Sequence, residues 1–513
     1  MLFNSYIFIF LFLPITVIVF YLLGKYARLN AAIIWLFVAS MFFYGWWNPI
    51  YLWLIVVSIV FNYVLGLFLY KLRENVNKHL AKMMLIIGVI ANLSLLGYYK
   101  YANFFVENTN EYLGTDIQLA PIILPIAISF FTFQQIAYLV DAYRGETEEY
   151  NFIHYCLFVT FFPQLIAGPI VHHKEMLPQF FASKKIDLKV ENIIVGLAIF
   201  SIGLFKKVVI ADNIALYATP AFAAADQGVA LSFIEAWGAS LSYTFQLYFD
   251  FSGYADMAIG AARMFGIKLP LNFNSPYKAN SIIDFWRRWH MTLSRFLRDY
   301  VYIPLGGNRN GKYRKHLNML ATMFLGGLWH GAGWTFVCWG ILHGLYLVIN
   351  NIWRTFVPLD PKNIYNIIVM RVVTFVAIVV GWVLFRAETI DGAMSILSGM
   401  AGLNGLIIPE KYLGPLAPYA QNIGIETTKL IYFSGFGQIL FLVALFVIVW
   451  FAPNTQEIMS EYSSSTSNDS ASEKKQLKIN FRPTTVWAFI ISILFVAGLL
   501  SLNSVSEFLY FQF

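Results

Sequence analysis

Tyr6-Ile-Phe-Ile-Phe-Leu-Phe-Leu-Pro-Ile-Thr-Val-Ile-Val-Phe-Tyr-Leu-Leu23 decides the fold class. It carries no charged side chain and approaches the roughly 20 apolar residues that a helix needs to cross a bilayer. No basic region precedes it and no small-residue cleavage site follows it, so it reads as a first membrane helix rather than a signal peptide. Comparable apolar runs follow at about 30–47, 50–70, 80–99, 119–140, 151–170, 192–212, 231–249, 252–266, 317–353, 366–386, 436–452 and 484–502, the run at 317–353 being long enough for two. The sequence thus predicts an all-α polytopic membrane protein with about eleven to fourteen membrane segments. Those around Pro121 and Pro125, and around Pro163, Gly168 and Pro169, are expected to be kinked or re-entrant.

Composition agrees. Of 513 residues, 59% are hydrophobic and 12% charged, against about 45–50% and about 25% in soluble domains. So little charge cannot cover a soluble surface, which excludes an ordinary cytosolic enzyme, a disordered chain and a nucleic-acid-binding protein. The two cysteines, Cys156 and Cys338, lie in apolar runs and read as packing residues.

Lys and Arg set the expected orientation. Lys25 and Arg28 follow the first helix, and Lys71, Arg73, Lys78 and Lys82 follow the third, whereas Glu107, Glu111 and Asp116 make the loop after the fourth acidic. The N-terminus is therefore expected outside and the basic loops in the cytoplasm. Residues 171–190, with Lys174, Lys184, Lys185 and Lys189, are expected on the cytoplasmic side, which requires one re-entrant piece before them. The polar stretch 454–483, with Lys474, Lys475, Lys478 and Arg482, reads as a cytoplasmic loop, leaving a last helix to carry the aromatic tail outside.

Between Ser281 and His316 lie eight Lys or Arg and two acids, giving +6 of the chain's net +7. Positive-inside bias accounts for such a loop; so does an anionic cytosolic ligand such as a coenzyme A phosphate or an acidic carrier protein. At helical spacing, Ile282, Phe285, Trp286, Trp289, Leu293, Phe296, Leu297 and Tyr300 share one face and Arg287, Arg288, Arg295 and Arg298 the other. This predicts an amphipathic helix at the cytoplasmic interface, with His290 on the border of its faces.

The eight histidines differ in setting. His79, His172, His173 and His316 read as interfacial, and His154 and His343 as hydrogen-bonded residues within apolar helices. His330 lies in Phe324-Leu-Gly-Gly-Leu-Trp-His-Gly-Ala-Gly-Trp334, whose glycines should break or thin a helix. Irregular backbone at membrane depth is tolerated where it is buried in protein or lines a cavity, and an ionisable residue there is a functional candidate. A neutral imidazole in such a place suits general-base work on a hydroxyl; a structural histidine is the alternative. Neither a zinc-binding helix motif, a phosphate loop nor a serine-hydrolase elbow is present, so no metal ligand is expected.

Five stretches carry a resemblance: Tyr248-Phe-Asp-Phe-Ser-Gly-Tyr-Ala-Asp-Met-Ala-Ile-Gly260, Asn272-Phe-Asn-Ser-Pro-Tyr277, Phe285-Trp-Arg-Arg-Trp-His-Met-Thr-Leu-Ser294, Tyr302-Ile-Pro-Leu-Gly-Gly-Asn-Arg309 and Leu328-Trp-His-Gly-Ala-Gly-Trp334. With Tyr138-Leu-Val-Asp-Ala-Tyr-Arg144 and Ile166-Ala-Gly-Pro169, they resemble the membrane-bound O-acyltransferase family, in particular its bacterial branch of alginate and cell-wall glycan O-acetylases. The likeness covers most of residues 1–400, with its motifs at about 138–345. Beyond it lie an extra helical region at 401–453, the polar loop at 454–483, and a terminal helix with its tail at 484–513.

The resemblance implies broken helices around a central tunnel, His330 as the catalytic histidine and His290 as the second histidine. It implies Trp286, Arg287, Arg288, Trp329, Asp250 and Asn272 as donor- or tunnel-binding positions. It further implies a multi-pass protein of the bacterial cytoplasmic membrane, with no bound cofactor. Acetyl-CoA or an acyl carrier would be the cytosolic donor, a polysaccharide the acceptor, and an extracytoplasmic SGNH-like acetyltransferase the partner. The tail Phe508-Leu-Tyr-Phe-Gln-Phe513 is similar to a C-terminal motif of small partners in teichoic-acid D-alanylation, making Tyr510 a candidate acyl carrier; an interfacial aromatic anchor is the alternative. D-Alanyl transfer, and from another class transport of a glycan or lipid, are the rival functions.

Overall fold

A computed structural model describes all residues except 28, 75–76, 121, 148–150, 167, 182–185, 358–362, 423, 428–429, 463–478, 503–508 and 510–513. Arg28, Pro121, Lys184, Lys185, most of the polar loop and Tyr510 therefore lie outside the described residues. The side chains of Arg73, Glu74 and Phe181 do so too. The described residues contain no β-strand, only an isolated bridge between Ile407 and Glu426.

The chain runs through α1 (Phe8–Tyr26), α2 (Leu29–Gly45), α3 (Leu52–Glu74) and α4 (Lys78–Leu113), then α5 (Ile128–Arg144) and the short α6 (Phe152–Thr160), α7 (Phe162–Leu165) and α8 (His173–Phe181). It continues through α9 (Val190–Leu204), α10 (Asp212–Asp226), α11 (Phe233–Met264), α12 (Ile282–Trp286), α13 (Met291–Leu297), α14 (Gly311–His330), α15 (Trp334–Phe356), α16 (Ile364–Arg386) and α17 (Ile390–Met400). The last apolar helices are α18 (Phe436–Phe451) and α19 (Thr485–Leu500). Six described helical stretches are long and apolar enough to cross a membrane, and α2, α18 and α19 are shorter apolar helices. Their outward residues include Phe10, Ile18, Val57, Ile90, Val373, Leu440 and Phe489, more than a third exposed, as lipid-facing side chains would be.

The runs around Pro125 and Pro163 are broken as expected: residues 114–120 and 122–127 are non-helical before α5, and α6 and α7 are separate short helices. Elsewhere the structure differs. The runs at 231–249 and 252–266 form one helix, α11, of 32 residues. Asp250 and Asp256 interrupt the apolar pattern there without interrupting the helix, because each carboxylate meets a lysine. Lys207 lies 2.6 Å from Asp250 and Lys206 lies 2.7 Å from Asp256. Both lysines sit in a π-helical stretch, Phe205–Ala211, that joins α9 to α10.

Helix α11 is the central post, buried along most of its length. Its contact with α9 is set by glycine. A Cβ on Gly260 would lie 2.6 Å from the Gly196 carbonyl oxygen, and one on Gly253 would lie 2.8 Å from that of Gly203. The two pairs match in antiparallel register. Such close backbone approach is how helices associate where water supplies no driving force between them.

Overpacking a tight contact costs about 1–3 kcal/mol. Gly260→Val is therefore expected to lower the melting temperature in detergent by several degrees and to reduce the monodisperse fraction. Gly97→Val, at a position with nothing within 4 Å, should leave both unchanged. Size-exclusion chromatography with a thermal melt reads the contrast.

Candidate active site

His330 is the last residue of α14, and α15 begins four residues later at Trp334. Between them Gly331 and Gly333 adopt extended backbone, with φ of −160° and −169°. The glycines also let the two helices close on one another: a Cβ on Gly327 would lie 2.4 Å from the Phe336 carbonyl oxygen, and one on Gly340 2.6 Å from that of Met323. Gly326 and Gly327 remain helical, so the break expected from glycine density is confined to the turn.

A helix end leaves its final carbonyls without intrahelical partners. Here α4 supplies them. The Lys100 ammonium donates to the carbonyls of Trp329, at 2.6 Å, and His330, at 2.9 Å, and the Tyr101 hydroxyl donates to that of Leu328. Three successive carbonyls at the tip of α14 are thus held by two adjacent side chains. Lys100 and His330 also border one cavity of about 50 Å³, lined in part by Pro125, Ala127, Ile166 and Trp329. That is room for a few waters, at roughly 10–15 Å³ each.

The His330 imidazole is 4% exposed and packs edge-on against Trp329, Trp339 and Phe385, with centroids 5.0, 5.1 and 5.1 Å away. His290 lies against the same Trp329 indole at 6.1 Å. The structure therefore brings the two sequence-expected histidines to one tryptophan.

His290 reaches that place by a route the sequence does not predict. The expected continuous amphipathic helix is broken: α12 ends at Trp286, and His290, at φ +41°, precedes α13. Left-handed backbone at a non-glycine residue is strained and persists only where surroundings enforce it. Asn272 does so. Its backbone carbonyl accepts from the Met291 N–H at 2.9 Å, and its side-chain oxygen accepts from the Thr292 N–H and hydroxyl at 3.3 and 2.9 Å. The same oxygen lies 3.1 Å from His290 Nδ1. An atom that accepts from a backbone N–H is an acceptor, so Nδ1 carries the proton and Nε2 the lone pair of the neutral ring. Thr292 in turn accepts from Ile170 N–H at 3.0 Å, tying the chain just after Pro169 to this corner.

The other expected positions divide. Trp286 is buried against His343 at 5.4 Å, and the indole N–H groups of Trp286, Trp329 and Trp339 have no hydrogen-bond partner among the described residues. Arg287 is exposed, while Arg288 bonds Asp284 at 2.9 Å. On the same side Lys174 pairs with Glu146 and holds that carboxyl below its ordinary range. Asp250 pairs with Lys207, and its other oxygen accepts the Leu509 backbone N–H at 3.1 Å. Leu509 is 7% exposed, so the residue next to Tyr510 is packed into the protein. One histidine also departs from expectation: neither ring nitrogen of the buried His343 has a hydrogen-bond partner among the described residues.

Lys100 and Tyr101 are absent from the sequence-level candidates. Their signal was available: Lys100 is the sole charge between Lys82 and Glu107, and the rule that singles out His330 applies equally to it. Placing the helix end at residue 99 hid it. Losing a partner costs a buried carbonyl about 1–3 kcal/mol. Lys100→Met is therefore expected to lower the melting temperature and cut acyl transfer at least about tenfold, with Lys100→Arg recovering part of both. Wild-type turnover in Lys100→Met would show that the tip of α14 needs no external cap.

Residues 139–385 match the family described as MBOAT, membrane-bound O-acyltransferase family. A peptidoglycan O-acetyltransferase of Helicobacter pylori is 50% identical over 437 residues, covering 79% of this chain and 81% of its own. A protein of Pseudomonas putida named "Probable alginate O-acetylase AlgI" is 38% identical over the full length of both chains. A teichoic acid D-alanyltransferase of Streptococcus thermophilus is 28% identical over 50% of this chain and 69% of its own.

Proposed function

Because the chain belongs to the membrane-bound O-acyltransferase family and is an acyltransferase, we propose that it moves an acetyl group from a cytosolic thioester through the bundle for O-acetylation of an extracytoplasmic polysaccharide. The single observation that carries this reading is His330. It is a buried imidazole at the broken end of a helix, beside a cavity, with His290 across one tryptophan. Acetyl is favoured over D-alanyl because relatives named for O-acetylation match 78–79% of the chain or all of it at 38–50% identity, and the D-alanyltransferase matches half at 28%. Transport alone would not explain membership of an acyltransferase family.

The chemistry needs an acceptor hydroxyl stripped of its proton as it attacks the acyl carbon. The C–S bond of the donor breaks, the new C–O bond forms, and the thiol leaves with a proton. In this account His330 takes the hydroxyl proton. Trp286, Trp329 and Trp339 line the path, and the basic residues around Arg287 meet the anionic part of the donor at the cytoplasmic face. Acetyl-CoA is the simplest donor. The orientation follows from the basic residues after α1 and α3 and has both termini outside, in the bacterial cytoplasmic membrane.

The tail gives the account its second half. The buried Leu509 donates its backbone N–H to Asp250, the partner of Lys207, which supports a tail that is part of the machinery rather than a loose end. Tyr510 would accept the acetyl group as an ester on the outer side. A separate SGNH-like transferase would then move it to the glycan, splitting one transfer into two.

His330→Ala is expected to lower acetylation by about 10²–10⁴-fold, the usual worth of a positioned base, while the protein still accumulates in the membrane. Near-wild-type ester on the glycan would contradict the assignment. Tyr510→Phe removes only a hydroxyl. Full loss of acetylation, with an acetyl mass increase on the wild-type C-terminal peptide, would support the relay. Unchanged acetylation would leave the tail as an anchor.

A further inference from the structure

Away from His330, three separate parts of the chain meet at one buried point. Asp141 ends α5, His172 and His173 open α8, and Tyr300 follows α13. Asp141 and His173 are each 1% exposed, and His172 is 21% exposed at its side chain. His172 Nδ1 lies 3.4 Å and His173 Nδ1 3.5 Å from the same oxygen, Asp141 Oδ2.

The hydrogen bonds around this point fix which atoms carry protons. The Tyr300 hydroxyl donates to Asp141 Oδ2 at 2.9 Å and lies 2.6 Å from His172 Nε2. Its one proton is spent on the carboxylate, so His172 Nε2 is the donor of the pair. His173 Nε2 faces the Glu146 carbonyl oxygen at 3.5 Å, and a carbonyl can only accept. Both neutral rings therefore hold their proton on Nε2 and turn the Nδ1 lone pair toward a carboxylate oxygen. Two imidazole lone pairs that face one carboxylate oxygen at 3.4 and 3.5 Å repel it unless a cation sits among them. Those separations exceed ordinary hydrogen-bond lengths. They match the roughly 3.3–3.4 Å between neighbouring ligand atoms of a tetrahedral ion bound at about 2.0–2.1 Å.

We propose that Asp141, His172 and His173 form a divalent transition-metal site, for which the two imidazoles and one carboxylate suit Zn²⁺. The candidate ligand atoms all lie within 4.8 Å of one another. Outer oxygens on both Nε2 atoms are the arrangement that metal-bound histidines usually have. Nearby cations are already neutralised: Lys174 by Glu146, Arg295 by Glu175, Arg298 by Asp299. Arg144 faces the other Asp141 oxygen, at 3.8 Å. A bound ion would join the end of α5 to the start of α8, on the side that carries the basic segment. The inference is independent of the acyl-transfer chemistry.

The site was hidden from sequence because adjacent histidines form no recognised ligand spacing and the third ligand is some thirty residues upstream. The test uses the full chain, purified in detergent without a polyhistidine tag, stripped with EDTA and titrated with Co²⁺ and Zn²⁺. One equivalent of Zn²⁺ per chain by mass spectrometry, and visible Co²⁺ bands of a nitrogen- and oxygen-bound ion, are expected. His172→Ala with His173→Ala should abolish both, and Asp141→Asn should weaken binding at least tenfold. In wild type alone, EDTA should lower the melting temperature and Zn²⁺ restore it, a readout that survives if a variant fails to fold. Wild type that binds no more metal than the double variant, or whose melt ignores both EDTA and Zn²⁺, would overturn the proposal.

Discussion

A helix that stops inside a protein bundle must have its last carbonyls satisfied there, since no following turn of helix supplies their partners. The end of α14 at His330 is such a place. Lys100 and Tyr101 of α4 meet that requirement, and the position of the candidate catalytic imidazole depends on them. Lys100 also pairs a positive charge with the negative end of the α14 dipole, the favourable sense. The same arrangement puts Lys100 on the wall of the cavity that His330 borders. Capping, orientation and cavity lining are thus one interaction seen from three sides.

Several polar residues of the central motifs are held in ion pairs and hydrogen bonds within the bundle. Asp250 and Asp256 pair with Lys207 and Lys206, and Asn272 holds the strained backbone at His290. Buried ion pairs of this kind contribute little net stability, but removing one partner leaves a costly unpaired charge. Their effect is to fix where α9, α10 and α11 sit. The tail is drawn into the same framework, because the second oxygen of Asp250 accepts the Leu509 N–H. Asp250, which the resemblance implies as a donor- or tunnel-binding position, joins the bundle to its own C-terminal segment.

Much of this was legible in the sequence where a single local rule decides. Apolar runs gave the all-α membrane fold, glycine density located the break at His330, and prolines marked the broken pieces around α5 to α7. Where long-range partners decide, local rules failed. The 281–300 segment has good helical periodicity, yet bonds from Asn272 to residues 290–292 bend it into two helices. The runs at 231–249 and 252–266 read as two segments, yet Asp250 between them meets Lys207 and the helix continues through it. Asp141 carried no sign that it would meet His172 and His173.

An acyl group that enters from one face and leaves at the other is the central claim, and sidedness tests it most directly. Sealed vesicles holding the wild-type chain, with either face outward, are supplied with membrane-impermeant acetyl-CoA bearing a labelled acetyl group. The account predicts label on the C-terminal peptide only when the cytoplasmic face is outward, and none in His330→Ala. Equal labelling from both faces, or labelling that survives loss of His330, would contradict it.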